Sequence, residues 1–322
     1  MLAAFVTQAN PSDPLAALQV GDRPDPEVPE GWVRVRVRAT SLNHHDLWSL
    51  RGVGLPAARM PMILGTDAAG TTDDGRDVIV HAVLASPGWT GDETLDPRRT
   101  LLSELHQGTI ADYVVVPAGN VIDKPSALSF EDAACLPSAW LTAYRMLTRN
   151  ELSGGDTILV QGSSGGVASA AIQLGKLLGL RVWATARTPA KQAFALELGA
   201  DGAFASGDRL PDRVDAVVET VGEATWSHSL RALRPGGTLI ISGATSGYSP
   251  PAELNRIFFL QLRVQGSTMG TREELVELVD LLVTSGVRPR IDRVLSLDAA
   301  ADGLAALEAG DVLGKVVLTT RT

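Results

Sequence analysis

The sequence contains a single cysteine, Cys135, among its 322 residues. This scarcity excludes an internal disulfide and any zinc site built from several cysteines. No apolar run reaches the roughly 18 residues that a membrane-spanning helix needs. The first segment, MLAAFVTQANPSDP, lacks a basic leader and meets a proline at Pro11. We therefore interpret it as a first β-strand and not as a signal peptide.

Basic residues are also few. The chain has 28 Lys and Arg against 37 Asp and Glu, which leaves a formal net charge of −9. A nucleic-acid or anionic-membrane partner would favour a basic face, so the composition argues against both. The length allows two domains, each with its own core. We expect a cytoplasmic enzyme or binding protein that acts on a small molecule.

The first part of the chain, residues 1–135, contains short β-branched runs separated by Pro, Gly and Asp. GWVRVRVRAT (31–40) alternates Val with Arg, which predicts a strand with one buried face. DVIVHAV (77–83) and ADYVVVPAGNVI (111–122) predict further strands, whereas the polar stretch 85–107 shows no strong periodicity. The pattern favours an irregular β-barrel or sandwich.

From about residue 137 onward, apolar strands alternate with helices. Strands are predicted at TILVQG (157–162), LRVWATA (180–186), VDAVVET (214–220) and GGTLIISG (236–243). Helices are predicted at SAWLTAYRMLTRNEL (138–152), GVASAAIQLGKLLG (166–179), and near 189–199 and 224–233. Near-continuous apolar strands with helices between them indicate an α/β fold with a doubly wound parallel sheet.

The segment VQGSSGGVAS (160–169) joins the first of these strands to a helix. Gly162 can form the tight turn, and Gly165 and Gly166 let the backbone approach a pyrophosphate that the helix N-terminus binds. A serine and an alanine replace the second and third glycines of the usual G-x-G-x-x-G motif. The strand before the turn and the helix after it nevertheless favour a dinucleotide site over a plain glycine-rich turn.

Cofactor choice depends on the end of the second strand, ATARTPAK (184–191). An NAD site needs a carboxylate there to accept a hydrogen bond from the ribose 2′-hydroxyl. This segment offers Thr185, Arg187 and Lys191, with no acid before Glu197. A cationic fork fits a 2′-phosphate. Arg187 can alternatively be a solvated cation at the helix entry, and we favour NADP(H).

The order of a barrel-like half, a GSSGGV turn and a final return resembles the medium-chain dehydrogenase/reductase superfamily, and within it the zinc-independent quinone oxidoreductase-like branch. The resemblance spans nearly the whole chain. It is carried by LNHHDLW (42–48), MILGTDAAG (62–70), GTIADYVVVPAGNV (108–121), AACLPSAWLTAYRML (133–147), VQGSSGGVASAAIQLGK (160–176), VQGSTMGTREEL (264–275) and GKVVLTT (314–320). It implies a GroES-like catalytic domain, residues 1–136 and 268–322, and a Rossmann NADP-binding domain, residues 137–267.

Zinc-dependent members of the superfamily hold the catalytic metal with three side chains. At the matching positions this chain has Asn43, Thr66 and Ser138, and Asp67 matches a neighbouring acid. The stretch 85–107 matches a lobe that carries four structural cysteines in those relatives, and it contains none. Catalytic zinc requires three protein ligands. The resemblance therefore implies an enzyme without zinc.

The resemblance also implies roles for the residues near Asn43. In the zinc-free branch this Asn lies by the nicotinamide ribose and the substrate, where its amide can offer a donor, and Asp46 braces the segment. His45 matches a Ser or Thr that passes a proton towards solvent, and histidine can deliver a proton near neutrality. A hydrogen bond within the loop is the alternative. Trp48 replaces a frequent Tyr, which makes the site more apolar.

The cofactor contacts predicted from the turn, the second strand and the resemblance are His44, Thr142, Gly162, Ser163, Ser164, Gly165, Gly166, Val167, Thr185, Arg187, Lys191, Val221, Gly243, Ala244 and Met269. Four apolar side chains can either line a substrate pocket or belong to the core: Trp48, Trp140, Phe258 and Met269.

Without a metal, simple alcohol oxidation loses its Lewis acid. Hydride addition to a quinone or an α,β-unsaturated carbonyl needs less help, because the developing charge is delocalised and hydrogen-bond donors with a proton source suffice. The predicted function is an NADPH-dependent, zinc-independent reductase of such compounds. A metal-dependent alcohol dehydrogenase that uses the His44–Asp46 cluster, and an NADPH-binding protein without turnover, remain alternatives.

Assembly is predicted from the same resemblance. In the superfamily the edge strand of the coenzyme domain pairs with its copy across a two-fold axis. GGTLIISGAT (236–245) and the following segment 246–262 would form this contact here. An exposed apolar edge strand is otherwise an aggregation hazard, so we expect a homodimer or a homotetramer.

Overall fold

The computed structural model describes residues 1–321. Its strands are β1 (Leu2–Val6), β2 (Leu18–Asp22), β3 (Trp32–Ser41), β4 (Met62–Ile63), β5 (Ala68–Thr72), β6 (Asp77–Val80), β7 (Val83–Leu84), β8 (Thr100–Leu101), β9 (Tyr113–Pro117), β10 (Val121–Asp123), β11 (Thr157–Val160), β12 (Arg181–Ala186), β13 (Gly202–Ala205), β14 (Val214–Glu219), β15 (Leu233–Ile241), β16 (Arg263–Gly266), β17 (Ile291–Ser296) and β18 (Lys315–Thr319). Its helices are α1 (Pro14–Ala17), α2 (His44–Leu50), α3 (Phe130–Ala134), α4 (Leu141–Thr148), α5 (Gly166–Leu177), α6 (Pro189–Glu197), α7 (Trp226–Ala232), α8 (Leu254–Phe259), α9 (Arg272–Ser285) and α10 (Ala300–Ala309).

The chain folds as two compact units. Unit 1 contains Met1–Leu141 together with the chain from Met269 onward, and unit 2 contains Thr142–Thr268. Within residues 1–321, no helix is both long enough and apolar enough to cross a bilayer.

Unit 1 is built around a seven-stranded sheet in the order β10-β6-β5-β3-β18-β17, with β9 also paired to β3. The Val–Arg alternation predicted for β3 is confirmed, because Val35 and Val37 are fully buried while Arg36 is exposed. The last strand, β18, pairs antiparallel with the end of β3, with Val317 opposite Ser41. Residues from the two ends of the chain therefore meet in one sheet.

Two predicted strands of unit 1 are broken in the structure. The run 77–83 divides at His81, whose backbone N–H donates to the Asn120 carbonyl at 2.7 Å instead of continuing the ladder. The run 111–122 divides after Pro117 at a short 3₁₀ turn, Ala118–Asn120. The helix predicted from residue 138 follows a π-helical turn, Leu136–Trp140, and ends at Thr148.

Unit 2 contains a six-stranded parallel sheet in the order β13-β12-β11-β14-β15-β16. Leu159, Val217 and Leu239, one from each of three adjacent strands, are fully buried, as the near-continuous apolar runs predicted. The direction of strand addition reverses between β11 and β14. In open sheets of this kind ligands bind beyond the carboxyl ends of the strands at such a switch point. The predicted α/β fold class is confirmed.

The edge of this sheet lies one strand further out than predicted. β15 is not the edge, because β16 pairs with it in parallel, with Thr238 opposite Arg263. All four residues of β16 are exposed. The preceding segment leaves Phe258 and Phe259 59% and 76% exposed, so the exposed apolar edge consists of α8 and β16.

Candidate functional site

The start of α2 positions the first polar residues of unit 1. Asn43 is the N-cap of this helix, and the Asp46 carboxylate accepts the Asn43 backbone N–H at 2.8 Å. Asp46 is fully buried. Burial raises the pKa of its carboxyl to about 6, although the neighbouring His45 and the Asn43 N–H oppose the rise. Asp46 thus holds the segment from inside and does not contact solvent.

A buried lysine, Lys315 at the start of β18, joins this segment. Its side chain is 2% exposed. The ammonium Nζ lies 2.6 Å from Asn43 Oδ1, 2.9 Å from the Leu42 carbonyl and 3.4 Å from Asp67 Oδ2. Lys315 was not among the site residues predicted from the sequence, although a lysine that opens a buried apolar strand is an unusual feature.

The Asn43 amide is fully engaged by its neighbours. An ammonium can only donate, so the amide oxygen must face Lys315 and Nδ2 must face the other side. There Nδ2 lies 2.8 Å from Asp67 Oδ2 and 3.3 Å from Thr66 Oγ1. That this amide offers a donor to the substrate stays a prediction; in the structure Nδ2 points to Asp67 and Thr66.

The three positions predicted to match zinc ligands lie together. Thr66 Oγ1 is 2.8 Å from Ser138 Oγ, and Asn43 Nδ2 contacts Thr66. They present an amide and two hydroxyls beside an ammonium, which does not fit the nitrogen, thiolate and carboxylate ligands of catalytic zinc. Within residues 1–321, no three His, Cys, Asp or Glu side chains are grouped so that they could hold a metal ion.

His45 has an acidic partner that the sequence analysis did not identify. Its Nε2 lies 3.4 Å from Glu104 Oε1, and both side chains are about one quarter exposed. Burial opposes charging of the imidazole, but the hydrogen bond to Glu104 and the charges of Asp46 and Asp67 outweigh it, so the pKa of His45 lies above its ordinary value. His45 Nδ1 is buried without a partner among the described residues. Glu104 was missed because the stretch 85–107 has no periodicity to place it.

The other predicted residues of unit 1 have mixed positions. His44 is exposed, and Trp48 is half-buried beneath the Arg51 guanidinium, which lies 5.1 Å from its ring centroid. Trp140 is fully buried in the core, so it does not line a pocket. Met269 packs against the apolar cluster that contains Val35 and Val37 of β3. Cys135 is buried, and burial raises the pKa of its thiol far above the ordinary range.

A cavity of about 610 Å³ in unit 1 lies away from these polar residues. It is lined by Trp32, His106, Tyr113 and three prolines of the segment 24–29, among others. It shares no residue with the network around Lys315. Chemistry, not cavity size, therefore identifies the candidate site.

In unit 2 the glycine turn has the geometry that a pyrophosphate needs. Gly162 adopts φ +78°, a left-handed conformation that favours glycine, directly after β11. Gly165 is the N-cap of α5, and no atom lies within 4 Å of the place where a Cβ would stand. Its open backbone, with Ser164, Gly166 and Val167 beside it, leaves room for phosphate oxygens at the helix N-terminus.

Two side chains near this turn form hydrogen bonds within the protein. The Ser163 hydroxyl donates to the Lys191 carbonyl at 2.8 Å. Thr185 is fully buried; its hydroxyl donates to Gln161 Oε1 at 2.7 Å and accepts the Gly162 N–H at 3.2 Å. Both were predicted to contact the cofactor, which stays a prediction, and their hydroxyls hold the turn from within because the protein interior supplies their partners.

Arg187 follows β12 directly and is exposed. It forms no hydrogen bond or ion pair with the described part of the chain. Thr188 caps α6 by accepting the Lys191 N–H at 3.3 Å, which places Lys191 in the first helical turn. The nearby Asp208 carboxylate, on the loop after β13, accepts the Ala205 N–H at 3.1 Å. The end of β12 is thus followed by Arg187, a cation without a partner among the described residues, and the segment 184–191 contains no carboxylate.

The remaining predicted contacts lie on the loops after β14 and β15. The buried Glu219 carboxylate accepts the backbone N–H of Val221 at 2.7 Å and of Gly222 at 3.0 Å, which shapes the first loop. Gly243 lies on the second loop, where a Cβ would approach the Thr220 carbonyl to 3.0 Å. Ala244 follows it. Thr142, at the beginning of unit 2, is buried.

Comparison with known proteins agrees with this architecture. Residues 29–126 match the alcohol dehydrogenase GroES-like domain, and residues 166–284 match the zinc-binding dehydrogenase family. The 2-methylene-furan-3-one reductase of Solanum lycopersicum is 31% identical over 307 residues, which cover 91% of this chain and 73% of that protein. The acryloyl-coenzyme A reductase of Metallosphaera sedula is 28% identical over 321 residues, which cover 94% of this chain and 96% of that protein.

Among solved structures, an NAD-dependent alcohol dehydrogenase is 35% identical, with 99% of each chain covered and a TM-score of 0.91. The two matched domains, the relatives and the shared fold agree over nearly the whole sequence. The chain therefore belongs to the medium-chain dehydrogenase/reductase superfamily and is an oxidoreductase that uses a nicotinamide cofactor.

Proposed function

We propose that the protein is an NADPH-dependent reductase of α,β-unsaturated carbonyl compounds or quinones that works without a catalytic metal. The main support for this proposal is the buried network in which Lys315 contacts Asn43 and Asp67, beside the hydroxyls of Thr66 and Ser138. The names of two relatives support the substrate class, because acryloyl-CoA and 2-methylene-furan-3-one both carry a C=C bond conjugated to a carbonyl.

The proposed chemistry divides between the two units. The nicotinamide cofactor, when bound, supplies the hydride. The turn at Gly162 and the N-terminus of α5 bind its phosphates. Arg187 favours NADPH over NADH by contacting the ribose 2′-phosphate. Unit 1 supplies hydrogen-bond donors for the acceptor oxygen and a proton from His45. A conjugated acceptor spreads the developing charge, so such donors are sufficient.

Acceptor specificity and metal content test this proposal together. We expect the purified protein to oxidise NADPH with 2-cyclohexen-1-one or 9,10-phenanthrenequinone and to leave cyclohexanone unreduced, because only the first two delocalise the charge. Activity should persist after prolonged treatment with a chelator. Elemental analysis that finds a tightly bound zinc ion in each chain, with activity lost on its removal, would contradict metal independence and favour the alcohol dehydrogenase alternative.

His45 is proposed as the proton carrier, held by Glu104. His45→Gln should lower kcat with the enone by about a hundred- to ten-thousand-fold, the usual contribution of general acid catalysis. Quinones need less early protonation and should lose less. Because an acid must be protonated to act, the rate should fall as pH rises through the pKa of His45. Glu104→Gln removes the partner that raises this pKa, so the alkaline limb should move to lower pH.

A matched control is Glu308→Gln, which removes a similar carboxylate that pairs with Arg51 at 3.0 Å in the same unit. It should leave the pH profile in place. If His45→Gln keeps the wild-type kcat and pH profile, His45 only stabilises the loop.

Cofactor selectivity is proposed to depend on Arg187. A charge-assisted contact to phosphate contributes roughly 1.5–3 kcal/mol, which corresponds to about ten- to 150-fold in affinity. Arg187→Ala should weaken NADPH binding by that factor at moderate salt and leave NADH binding almost unchanged. Lys191→Ala should act in the same direction with a smaller effect, because a flexible ammonium loses more freedom on binding. Fluorescence titration measures both dissociation constants.

Arg181→Ala is the matched control, since Arg181 is an exposed cation at the other end of the same strand. It should change neither constant. Equal weakening of both cofactors in the Arg187 variant would assign Arg187 to the pyrophosphate or the fold. A wild-type preference for NADH would overturn the selectivity proposal.

We also propose that the exposed edge formed by α8 and β16 pairs with a second copy of the chain. Exposed apolar edge strands are otherwise managed by charge, proline or cover, and Phe259 is 76% exposed here. Sedimentation or light scattering should give at least a dimer mass, and Phe259→Glu should shift it towards the monomer. Leu196→Glu, at a 52% exposed site on α6, should not. A wild-type monomer at all concentrations would refute the assembly.

A further inference from the structure

Two hydroxyl groups lie side by side where metal-dependent relatives carry zinc ligands. Thr66 Oγ1 and Ser138 Oγ are 2.8 Å apart, and the two residues are 1% and 7% exposed. Thr66 Oγ1 is also 3.3 Å from Asn43 Nδ2. These are the only side-chain hydrogen bonds of the two hydroxyls within residues 1–321.

One hydroxyl hydrogen of this pair has no acceptor within the described part of the chain. Lys315 fixes the orientation of the Asn43 amide, so Nδ2 donates and Thr66 Oγ1 accepts. Between the two hydroxyls, one donates to the other. If Thr66 donates, the Ser138 hydrogen has no acceptor; if Ser138 donates, the Thr66 hydrogen has none. Either arrangement leaves one hydroxyl hydrogen without a protein partner.

Buried donors are normally satisfied, so an unused one that lies within a polar cluster next to other unpartnered atoms points to a ligand or a water molecule. Further unpartnered buried polar atoms belong to the same segments, namely His45 Nδ1, Asp46 Oδ1 and Asp67 Oδ1. The ammonium of Lys315 behind Asn43 polarises the amide and, through it, the hydroxyl pair. A hydroxyl hydrogen can donate only to an acceptor, and a substrate oxygen that gains negative charge is a stronger acceptor than a neutral one.

We infer that the unused hydroxyl hydrogen of the Thr66–Ser138 pair binds the carbonyl oxygen of the substrate and replaces the Lewis acid of the metal-dependent relatives. This inference rests on the proposed function. A hydride from NADPH adds to the β-carbon, the C=C electrons form an enolate, and the hydroxyl stabilises the enolate oxygen. A proton carried by His45, as in the proposed function, then adds to the α-carbon to complete the saturated product, and NADP⁺ would be released. The hydroxyl pair is catalytic, whereas Asn43 and Lys315 are positioning residues.

The decisive variant is the double substitution Thr66→Val with Ser138→Ala, which removes both hydroxyls with little change of shape. Loss of one oxyanion-binding donor typically lowers kcat by about a hundred- to a thousandfold. We expect that loss for 2-cyclohexen-1-one, with unchanged NADPH affinity and unchanged circular dichroism. The single variants then identify the donor, because only removal of the hydroxyl that carries the unused hydrogen reproduces the full loss.

Two controls separate this role from packing. Thr66→Ser keeps the hydroxyl and should keep most of the wild-type kcat. Ser49→Ala removes another buried and unpartnered serine hydroxyl, on α2, and should leave kcat unchanged. If the double variant retains wild-type kcat, the inference is wrong even though the proposed function stands.

A readout without turnover makes failure of the inference distinguishable from failure of the proposed function. The carbonyl stretch of ¹³C-labelled 2-cyclohexen-1-one, bound to the wild-type protein with NADP⁺, should shift to lower frequency than in water. The double variant should lose this shift while it still binds the ketone. No shift in the wild-type complex, or an equal shift in both proteins, would overturn the inference, whatever substrate panel the enzyme accepts.

Discussion

The buried ammonium group of Lys315 joins the last strand of unit 1 to the segments that follow β3 and precede β5. Moving such a group out of water costs roughly several kcal/mol, and only close oxygen acceptors offset this cost. Lys315 finds them in the Leu42 carbonyl and the Asn43 amide, which directly follow β3, and in the Asp67 carboxylate, which directly precedes β5. The last strand, β18, pairs with β3 in the register that brings Lys315 to these acceptors.

The same contact decides the chemistry of the neighbouring polar groups. Because Lys315 takes the Asn43 oxygen, the amide nitrogen faces Asp67 and Thr66. The hydroxyls of Thr66 and Ser138 then hydrogen-bond to each other in the cluster. The ammonium is paired with the Asp67 carboxylate, and the amide and the two hydroxyls beside this pair are not the side chains that bind catalytic zinc. Lys315 thus connects the pairing of β18 with β3 to the polar cluster on which the proposed reduction without metal rests.

Unit 2 shows how buried polar contacts shape a binding turn. Gln161 accepts from Thr185 at 2.7 Å and lies 2.9 Å from Ser229, which donates to the Glu219 carboxylate at 2.6 Å. Glu219 in turn holds the loop at Val221. The polar network supports the loops after β11 and β14, at the switch point of the sheet. The side chains that hold these loops in place are thus buried, and Arg187, the residue proposed to select the cofactor, is exposed.

Periodicity and turn chemistry determined much of this protein from the sequence alone: the alternating β3, the buried parallel strands, the α/β class and the glycine turn at Gly162. Each is a local pattern, because a strand or helix buries residues at a fixed spacing. The identity of hydrogen-bond partners is not local. Thr185 and Ser163 are polar residues beside a turn in sequence, and only the packed interior shows that their hydroxyls are already bound. Lys315 and Glu104 lie 272 and 59 residues from the partners that give them their roles. Tertiary structure alone decided the polar site. A donor that is removed from water needs a hydrogen-bond acceptor close by in space, and that acceptor can lie far away along the chain.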